Sequence, residues 1–274
     1  LEFTSFTKKV AGELDCDATA IDPIPVEVKF WPPEGVELPP PAAARPAAKT
    51  ADAPELPLSA EAPAAPSAGE AALLAIPVTH ADYESITSLS ALKAWCAAAY
   101  VKGYIALDTE TDSLDSMRAN LVGVSLALAP GKACYIPLQH KASGGGLFGG
   151  ELTEGQIPLA EAIAVLKPLL EDPSILKVGQ NLKYDLEVLK RHGIATQPID
   201  DTMLMSYVLE SGDVGHGMDE LSLRHLNHKC IAFKDVAGSG KSMITFDRVP
   251  IANATHYAAE DADITLRLWL LLKP

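Results

Sequence analysis

The sequence predicts a mixed α/β domain, with helices packed on a sheet that has at least one antiparallel strand, behind a Pro/Ala-rich linker. Three observations lead to this prediction. From about Val78 onward, apolar runs of strand length alternate with longer runs of helical periodicity. A Pro-Gly pair separates two of the apolar runs, as in a hairpin between antiparallel strands. Before Val78, residues 1–80 hold 13 of the 21 prolines, and Pro and Ala make up 22 of the 37 residues from Val36 to Ala72. We expect that stretch to be extended and partly polyproline-like, without a packed core.

The predicted elements follow one another from Ser88. Ser88 is a favourable N-cap for a helix that runs to Tyr100 and is closed by Gly103, with one apolar face: Leu89, Leu92, Trp95 and Cys96. Short apolar runs predict four strands, and Pro130-Gly131 is the turn between the second and the third: Tyr104–Asp108, Leu121–Ala129, Ala133–Leu138 and Ile175–Val178. A glycine-rich loop, Ser143–Gly150, follows the third strand. Apolar residues at helical spacing predict the other helices: Leu159–Leu170, Leu182–His192, Thr202–Glu210, Met218–Leu226 and Ile251–Leu272.

Length, charge and cysteine spacing bound the class of protein. The chain has 274 residues, of which 48% are hydrophobic, enough for one domain with an additional segment. Its net charge of −14 argues against a broad basic surface for duplex DNA or anionic membranes, so any nucleic-acid contact must be narrow or metal-assisted. No apolar run approaches the roughly 18–20 residues of a membrane helix. The four cysteines stand far apart, as is usual in a reducing cytoplasm.

Three acids, Asp108, Glu110 and Asp112, stand at alternate positions where the first predicted strand ends. Residues i and i+2 share a face of a strand, so Asp108 and Glu110 project into the same space. Like charges so close repel, and each resists burial unless a cation neutralises it. A generic acid pair of this kind is more often a solvated strand end or turn, so further acids are needed to indicate a site.

Further carboxylates lie in two helices. Asp185 is in the first turn of a helix that follows a buried strand, where an acid on its own is ordinary because the helix dipole favours it. Tyr257 and Asp261 are four residues apart and therefore lie on one face of the last helix. Four carboxylates from a strand and two helices suit Mg²⁺, which prefers oxygen ligands.

These segments resemble the 3′-to-5′ exonuclease domain of bacterial DNA polymerase I, a DEDD-type nuclease with a tyrosine. The first motif is similar to residues 108–114 (DTETDSL), the second to residues 179–185 (GQNLKYD) and the third to residues 257–261 (YAAED). The stretch from His216 to Leu221 (HGMDEL) is also similar, and the resemblance covers about Val78 to the end. Three motifs in this order are far more specific than any one of them.

The resemblance implies a ribonuclease H-like fold, a mixed sheet flanked by helices, that binds two divalent metal ions. It implies that one ion is held by Asp108, Glu110 and Asp261, and that a second is shared by Asp108 and reached by Asp185 partly through water. Mg²⁺ is the expected ion, with Mn²⁺ or Zn²⁺ able to substitute. Two cations about 3.5–4 Å apart can stabilise both the attacking and the leaving oxygen of a displacement at phosphorus.

The resemblance also implies the substrate, the partners and the domain boundaries. The substrate would be the 3′ end of single-stranded or frayed DNA, and the expected role is proofreading. The partner would be a polymerase domain in cis, in a monomeric, cytoplasmic, nucleoid-associated bacterial protein. Residues 1–35 would be a remnant that follows a 5′ nuclease domain, residues 36–77 the linker, and residues 78–274 the exonuclease domain.

The third motif satisfies the patterns of two DEDD subclasses, because His256 precedes Tyr257. On a continuous helix, residue i+4 lies about 40° from residue i and residue i+5 about 140° away. Tyr257 therefore shares the face of Asp261, and we predict that Tyr257, not His256, orients the attacking water. A tyrosine of ordinary pKa orients water through its hydroxyl and is a weak base, so deprotonation is left mainly to the metal.

Six further residues match family positions at the terminal nucleotides of the substrate: Thr111, Leu114, Gln180, Asn181, Tyr184 and Phe233. Each has a structural alternative. Leucine and phenylalanine at positions 114 and 233 are more often core residues, and Asn181 is a possible helix cap.

Two rival functions share features of this sequence, and two other patterns in it do not indicate binding sites. A ribonuclease D-type exonuclease, which acts on RNA 3′ ends, shares the four acids and the tyrosine. A catalytically silent spacer domain of a polymerase shares the fold, but the retained acids argue against it. Residues 238–242 (GSGKS) do not form a phosphate loop, because Asp235 stands where the pattern requires glycine. His225 and His228 are three apart, but without partnered cysteines we do not expect zinc there.

Overall fold

The computed structural model describes residues 67–142, 150–210 and 214–273. Its centre is a mixed six-stranded sheet of order β1-β4-β3-β2-β5-β6, with these strands: β1 Glu84–Ser85, β2 Tyr104–Thr111, β3 Leu121–Ala129, β4 Lys132–Pro137, β5 Leu176–Gly179 and β6 Ile199–Asp201. Strands β2, β3 and β4 pair antiparallel. The pairs β1–β4, β2–β5 and β5–β6 are parallel. The predicted mixed sheet and its antiparallel hairpin are thus confirmed, with Gly131 at φ 77° in the turn.

The described ranges contain eight α-helices: α1 Ala68–Leu74, α2 Leu89–Lys102, α3 Leu159–Glu171, α4 Lys183–Arg191, α5 Thr202–Leu209, α6 Met218–Leu221, α7 Phe233–Ala237 and α8 Ile251–Leu272. Apolar residues of α2, α3 and α4 form the larger core with one face of β2, β3 and β4. Helix α8 packs on the other face. None of the helices in the described ranges is both long and apolar enough to cross a membrane.

The residues of β2 alternate between these two cores. Ile105 and Leu107 point into the larger core, whereas Ala106 packs against α8. Period-two alternation therefore directs Asp108 and Glu110 toward α8 as well. The contact between α8 and the sheet is made largely by small side chains, Ala259 and Ala262 on the helix against Ala106, Ala127 and Ala133 on the strands. These small residues let the helix lie close to the strand that carries the two acids.

Most predicted elements are present, and the differences have local causes. The Ser88 hydroxyl accepts from Ala91 N–H, and Gly103 ends α2 in the left-handed region. Strand β2 is three residues longer than predicted, because its pairing with β3 continues through Thr111. The predicted helix Met218–Leu226 is wrong in its second half, since α6 ends at Leu221 and a π-helical turn, Ser222–Leu226, follows. Three short elements, β1, β6 and α7, are not predicted because each spans five residues or fewer.

The predicted extended linker is wrong at its end, where α1 forms. Ser67 and Glu70 form a capping box, in which each side chain accepts from the backbone N–H of the other residue. This cap stabilises a helix in a segment that the proline content assigned to extended chain. No residue of α1 is buried, whereas Val78 packs against two apolar clusters that contain residues of α8. Residues 1–66, which include the predicted remnant and most of the linker, lie outside the described residues, as does nearly all of the predicted glycine-rich loop (143–149).

Candidate active site

Three carboxylates from β2 and α8 converge on one point. Asp108, Glu110 and Asp261 each offer an oxygen, and the three atoms lie within 4.8 Å of one another. Asp108 and Glu110 come from the α8-facing side of β2, and Asp261 comes from the helix that packs there. The three acids that the sequence separates by up to 153 positions are therefore one cluster.

Asp185 lies beside this cluster but is held differently. Helix α4 begins shortly after β5 ends, and Asp185 stands in its first turn. Its Oδ1 accepts from the Thr109 backbone N–H at 3.0 Å and from the Thr109 hydroxyl at 2.5 Å. The side chain lines the same cavity as Asp108 and Glu110 but is not part of the three-carboxylate cluster. Thr109, between the two acids of β2, thus fixes the direction of the fourth acid.

Burial raises the pKa values of all four acids, and the charges of neighbouring carboxylates add to the rise. Burial raises the pKa of Glu110 to about 8 and that of Asp185 to about 6, although the Thr109 hydrogen bonds oppose the rise for Asp185. Burial and the charges of Asp185, Glu110 and Asp261 hold the pKa of Asp108 well above its usual range. Burial also raises the pKa of Asp261, and the charges of Glu110 and Glu260 add to the effect. A bound cation would remove this penalty by stabilising the charged forms.

The donor set fits divalent metal ions. Glu110 Oε1 is buried and has no hydrogen-bond partner among the described residues. A buried polar atom without a partner costs free energy unless something unseen satisfies it. All the converging donors are carboxylate oxygens, which hard cations such as Mg²⁺ and Mn²⁺ prefer. None of the described side chains around the cavity is Lys or Arg, so no protein cation offsets these charges there.

Tyr257 and His256 occupy different environments. Tyr257 lines the cavity and contacts two aromatic rings, Phe246 at 5.8 Å and Phe233 at 6.1 Å between centroids. Burial and the neighbouring carboxylates, Asp261 first among them, raise its pKa, so its hydroxyl keeps its proton. His256 is exposed and stacks on His80, with 6.2 Å between ring centroids. The structure therefore brings the tyrosine, and not the histidine, to the acids.

All six predicted substrate residues line a single cavity of about 720 Å³. The core alternative is wrong for Leu114, which is 98% exposed, and for Phe233, which is 41% exposed. The capping alternative is wrong for Asn181, since α4 has no side-chain cap and Asn181 lies before its N-cap at φ 58°. The Tyr184 hydroxyl donates to the Ser113 carbonyl and lies at hydrogen-bond distance from Thr111 Oγ1, which links the first two motifs.

Gln180 is fixed from two sides. Its amide nitrogen donates to the His216 carbonyl at 2.9 Å, and its amide oxygen accepts from the Thr202 hydroxyl. The turn before it requires Gly179, because a Cβ there would lie 2.2 Å from Leu182 Cδ2. Both the side chain and the backbone at this end of β5 are therefore rigidly placed at the cavity.

Sequence reasoning missed Asp201 and an apolar wall of the cavity. Asp201 accepts from the backbone N–H of Asn181 at 3.0 Å, Leu182 at 2.8 Å and Met203 at 2.9 Å, so one carboxylate holds the second motif against the start of α5. Its place before the predicted helix at Thr202 was a detectable N-cap signal. Met243 and Ile244 are exposed in a loop and line the cavity, and nothing in the local pattern distinguishes them from other loop residues.

Comparisons with known proteins agree with this geometry. A family model described as 3′–5′ exonuclease matches residues 83–274. DNA polymerase I of Rhizobium leguminosarum is 47% identical over 306 residues, which cover 100% of this chain and 29% of the relative. DNA polymerase I of Pseudomonas aeruginosa is 44% identical over 193 residues, 68% of this chain and 20% of the relative.

The fold is also similar to that of a solved structure. The crystal structure of Escherichia coli RNase D, an exoribonuclease involved in structured RNA processing, superposes with a TM-score of 0.50 at 22% identity. The match covers 69% of this chain and 44% of that one, and at this identity it shows the ribonuclease H-like fold alone. The chain spans less than a third of the length of the two polymerase relatives. From the matched family and these relatives, the chain belongs to the 3′–5′ exonuclease domain family of DNA polymerase I.

Proposed function

We propose that this domain is a proofreading exodeoxyribonuclease that removes 3′-terminal nucleotides from single-stranded or frayed DNA as 5′-monophosphates. The observation that carries the proposal is the convergence of Asp108, Glu110 and Asp261 within 4.8 Å, with Asp108 and Glu110 lining a cavity of about 720 Å³. Its relatives are DNA polymerases, which favours DNA over RNA as the substrate. Hydrolysis adds water across the terminal phosphodiester: the bond from phosphorus to the 3′ oxygen breaks, and that oxygen gains a proton.

The carboxylates would hold two divalent ions, Mg²⁺ in the proposed physiological state. Asp108, Glu110 and Asp261 would hold one ion, and Asp108 with Asp185 the other. Such ions, when bound, lower the pKa of water and stabilise charge on the attacking and leaving oxygens. Thr109 keeps Asp185 oriented through its two hydrogen bonds. Mn²⁺ and Zn²⁺ satisfy the same donors.

Tyr257 would orient the attacking water by hydrogen bonding. Its hydroxyl keeps its proton because burial and the neighbouring acids raise its pKa, so it can donate a hydrogen bond to the water oxygen. Phe233 and Phe246 pack against its ring. A group fixed in this way supplies positioning, which lowers the activation barrier without a proton transfer of its own.

The cavity wall explains why a single-stranded end is the proposed substrate. Leu114, Phe233, Met243 and Ile244 are exposed apolar side chains on its lining. Such surfaces contact nucleobases by stacking and apolar packing, which requires unpaired bases and reads little sequence. A polymerase domain in cis, as in the relatives, would supply frayed 3′ ends in the bacterial cytoplasm.

The test is digestion of a 5′-labelled single-stranded DNA and of an RNA of the same sequence. We expect stepwise shortening of the DNA from its 3′ end with Mg²⁺, release of 5′-mononucleotides and no reaction in chelator. Asp261→Asn should abolish the reaction, and the matched control Asp82→Asn, an exposed acid before β1, should retain it. Faster loss of RNA would favour the ribonuclease D-type alternative. Intact DNA and RNA with either Mg²⁺ or Mn²⁺ would favour the silent spacer.

A further inference from the structure

A second group of potential metal ligands lies on another side of α8. His80 Nε2 lies 2.7 Å and His228 Nε2 lies 2.8 Å from the same oxygen, Glu260 Oε1. The three ligand atoms lie within 4.8 Å of one another. The other carboxylate oxygen, Oε2, accepts from the Ile231 backbone N–H at 2.6 Å. Glu260 is thereby oriented by the backbone while its Oε1 faces two imidazoles.

The three residues come from distant parts of the chain. His80 is in a 3₁₀ turn before β1, His228 follows the π-helical turn, and Glu260 is in the middle of α8. Consecutive residues of a helix point about 100° apart, so Glu260 and Asp261 serve different faces of α8. This group is therefore separate from the acids of the active site, and the spacing of His225 and His228 gave no signal of it. His225 instead lies 3.8 Å from Glu210.

Burial and access both suit a cation. The Glu260 side chain is fully buried, and a buried carboxylate requires compensating charge or hydrogen bonds. The side chains of His80 and His228 are 37% and 22% exposed, so an ion and its remaining water ligand can reach the imidazole nitrogens. Two imidazoles with one carboxylate form a recurrent zinc donor set with an open fourth position. Mg²⁺ prefers oxygen donors, so this group selects a different ion from the active site.

We propose that His80, His228 and Glu260 bind one Zn²⁺ or a similar transition-metal ion at a site distinct from the exonuclease centre. The observed spacings of 2.7–2.8 Å are those of hydrogen bonds. Ligands around tetrahedral zinc, each about 2.0–2.1 Å from the ion, lie about 3.3 Å apart. The two histidines therefore move outward by roughly half an ångström on binding, and both lie in surface turns. The bound ion links the 3₁₀ turn before β1 and the π-helical turn to α8, at the residue next to Asp261. This proposal does not depend on which nucleic acid the exonuclease cleaves.

The test counts zinc on a chain whose active site no longer competes for it. Asp108→Asn combined with Glu110→Gln removes two carboxylates of the exonuclease cluster. We expect equilibrium dialysis to find one Zn²⁺ per chain in this variant. Adding His80→Gln or His228→Gln should weaken zinc binding at least tenfold. The matched control His192→Gln, at the end of α4 and away from the group, should leave the affinity unchanged.

Two further readouts do not depend on activity. At a zinc concentration about 100 times the dissociation constant, the thermal midpoint of the double variant should rise by roughly 5–10 °C, and adding His228→Gln should cut that rise to about half or less. X-ray absorption at the zinc edge of the double variant should show two imidazole ligands, which keeps the test valid if a histidine substitution unfolds the chain. Absence of bound zinc, an affinity insensitive to both histidines, or an oxygen-only zinc environment would overturn the proposal.

Discussion

The strongest test of the electrostatic account is Glu110→Gln in the metal-free protein. Glu110 is buried with an unpartnered Oε1 among three other acids, and burial raises its pKa from 4.5 to about 8. A raised folded-state pKa means that the native state binds more protons than the unfolded state between those two values. Stability should therefore fall as pH rises from about 4.5 to about 8 and should be recovered when the group cannot ionise.

The size of the effect follows from the pKa shift. Each pKa unit corresponds to about 1.4 kcal/mol, so ionisation of Glu110 costs the metal-free fold about 4 kcal/mol at pH 8. At about 2–4 °C per kcal/mol for a domain of this size, the substitution should raise the melting temperature by roughly 8–16 °C at pH 8. Near pH 4 the carboxyl is neutral in both states, and the difference should vanish.

The assay is thermal unfolding in chelator across this pH range. Glu154 is exposed, so the matched control Glu154→Gln should leave the melting temperature unchanged. Saturating Mg²⁺ should reverse the ranking, because binding to the native state stabilises only the chain that retains the ligand. If Glu110→Gln melts at or below the unsubstituted temperature in chelator at pH 8, the repulsion argument is refuted.

Three other predictions address single contacts. Tyr257→Phe should lower the exonuclease rate by about 10- to 100-fold, in the range of a lost positioning group, while His256→Gln leaves the rate unchanged; initial rates on single-stranded DNA measure both. Thr109→Val removes the hydroxyl that donates to Asp185, so the rate should fall about tenfold with little change in melting temperature, and an unchanged rate would contradict the positioning role. Leu266→Ala leaves a cavity at a fully buried position between α8 and the sheet, and should lower the free energy of unfolding by about 2–5 kcal/mol. Urea denaturation measures this loss, and the same truncation of an exposed leucine should not produce it.

The elements that could be predicted are those whose local pattern agrees with their tertiary environment. The range of α8 is as predicted, because its periodicity and the preceding Pro250 both favour it. Strand β2 was placed but cut short at Asp108, because acids oppose strand formation locally and only the pairing with β3 extends it. Helix α1 was missed because prolines nearby outweighed a capping box that is present in the sequence as Ser67 and Glu70.

The same distinction applies to the site. Period-two alternation was enough to put Asp108 and Glu110 on one face, and helix geometry was enough to separate Tyr257 from His256. That Asp185 and Asp261 lie close to the two acids of β2 followed only from the family resemblance, since no local pattern encodes a contact across 76 or more residues. Asp201, Met243 and the histidine pair at Glu260 depend on how loops return to the sheet, which the linear sequence does not specify.

The alanine side chains between α8 and the sheet set the distance from the helix to β2, and therefore the distance from Asp261 to Asp108 and Glu110. Ala106 is two residues before Asp108, and Ala262 is next to Asp261. A bulkier side chain at either position would move α8 away from β2 and widen the gap between Asp261 and the two acids of β2, although neither alanine is an acid of the cluster. Substitutions at these alanines would thus change the spacing of the carboxylates, and with it the preference for one metal ion over another. A search limited to charged or polar residues would not find these positions.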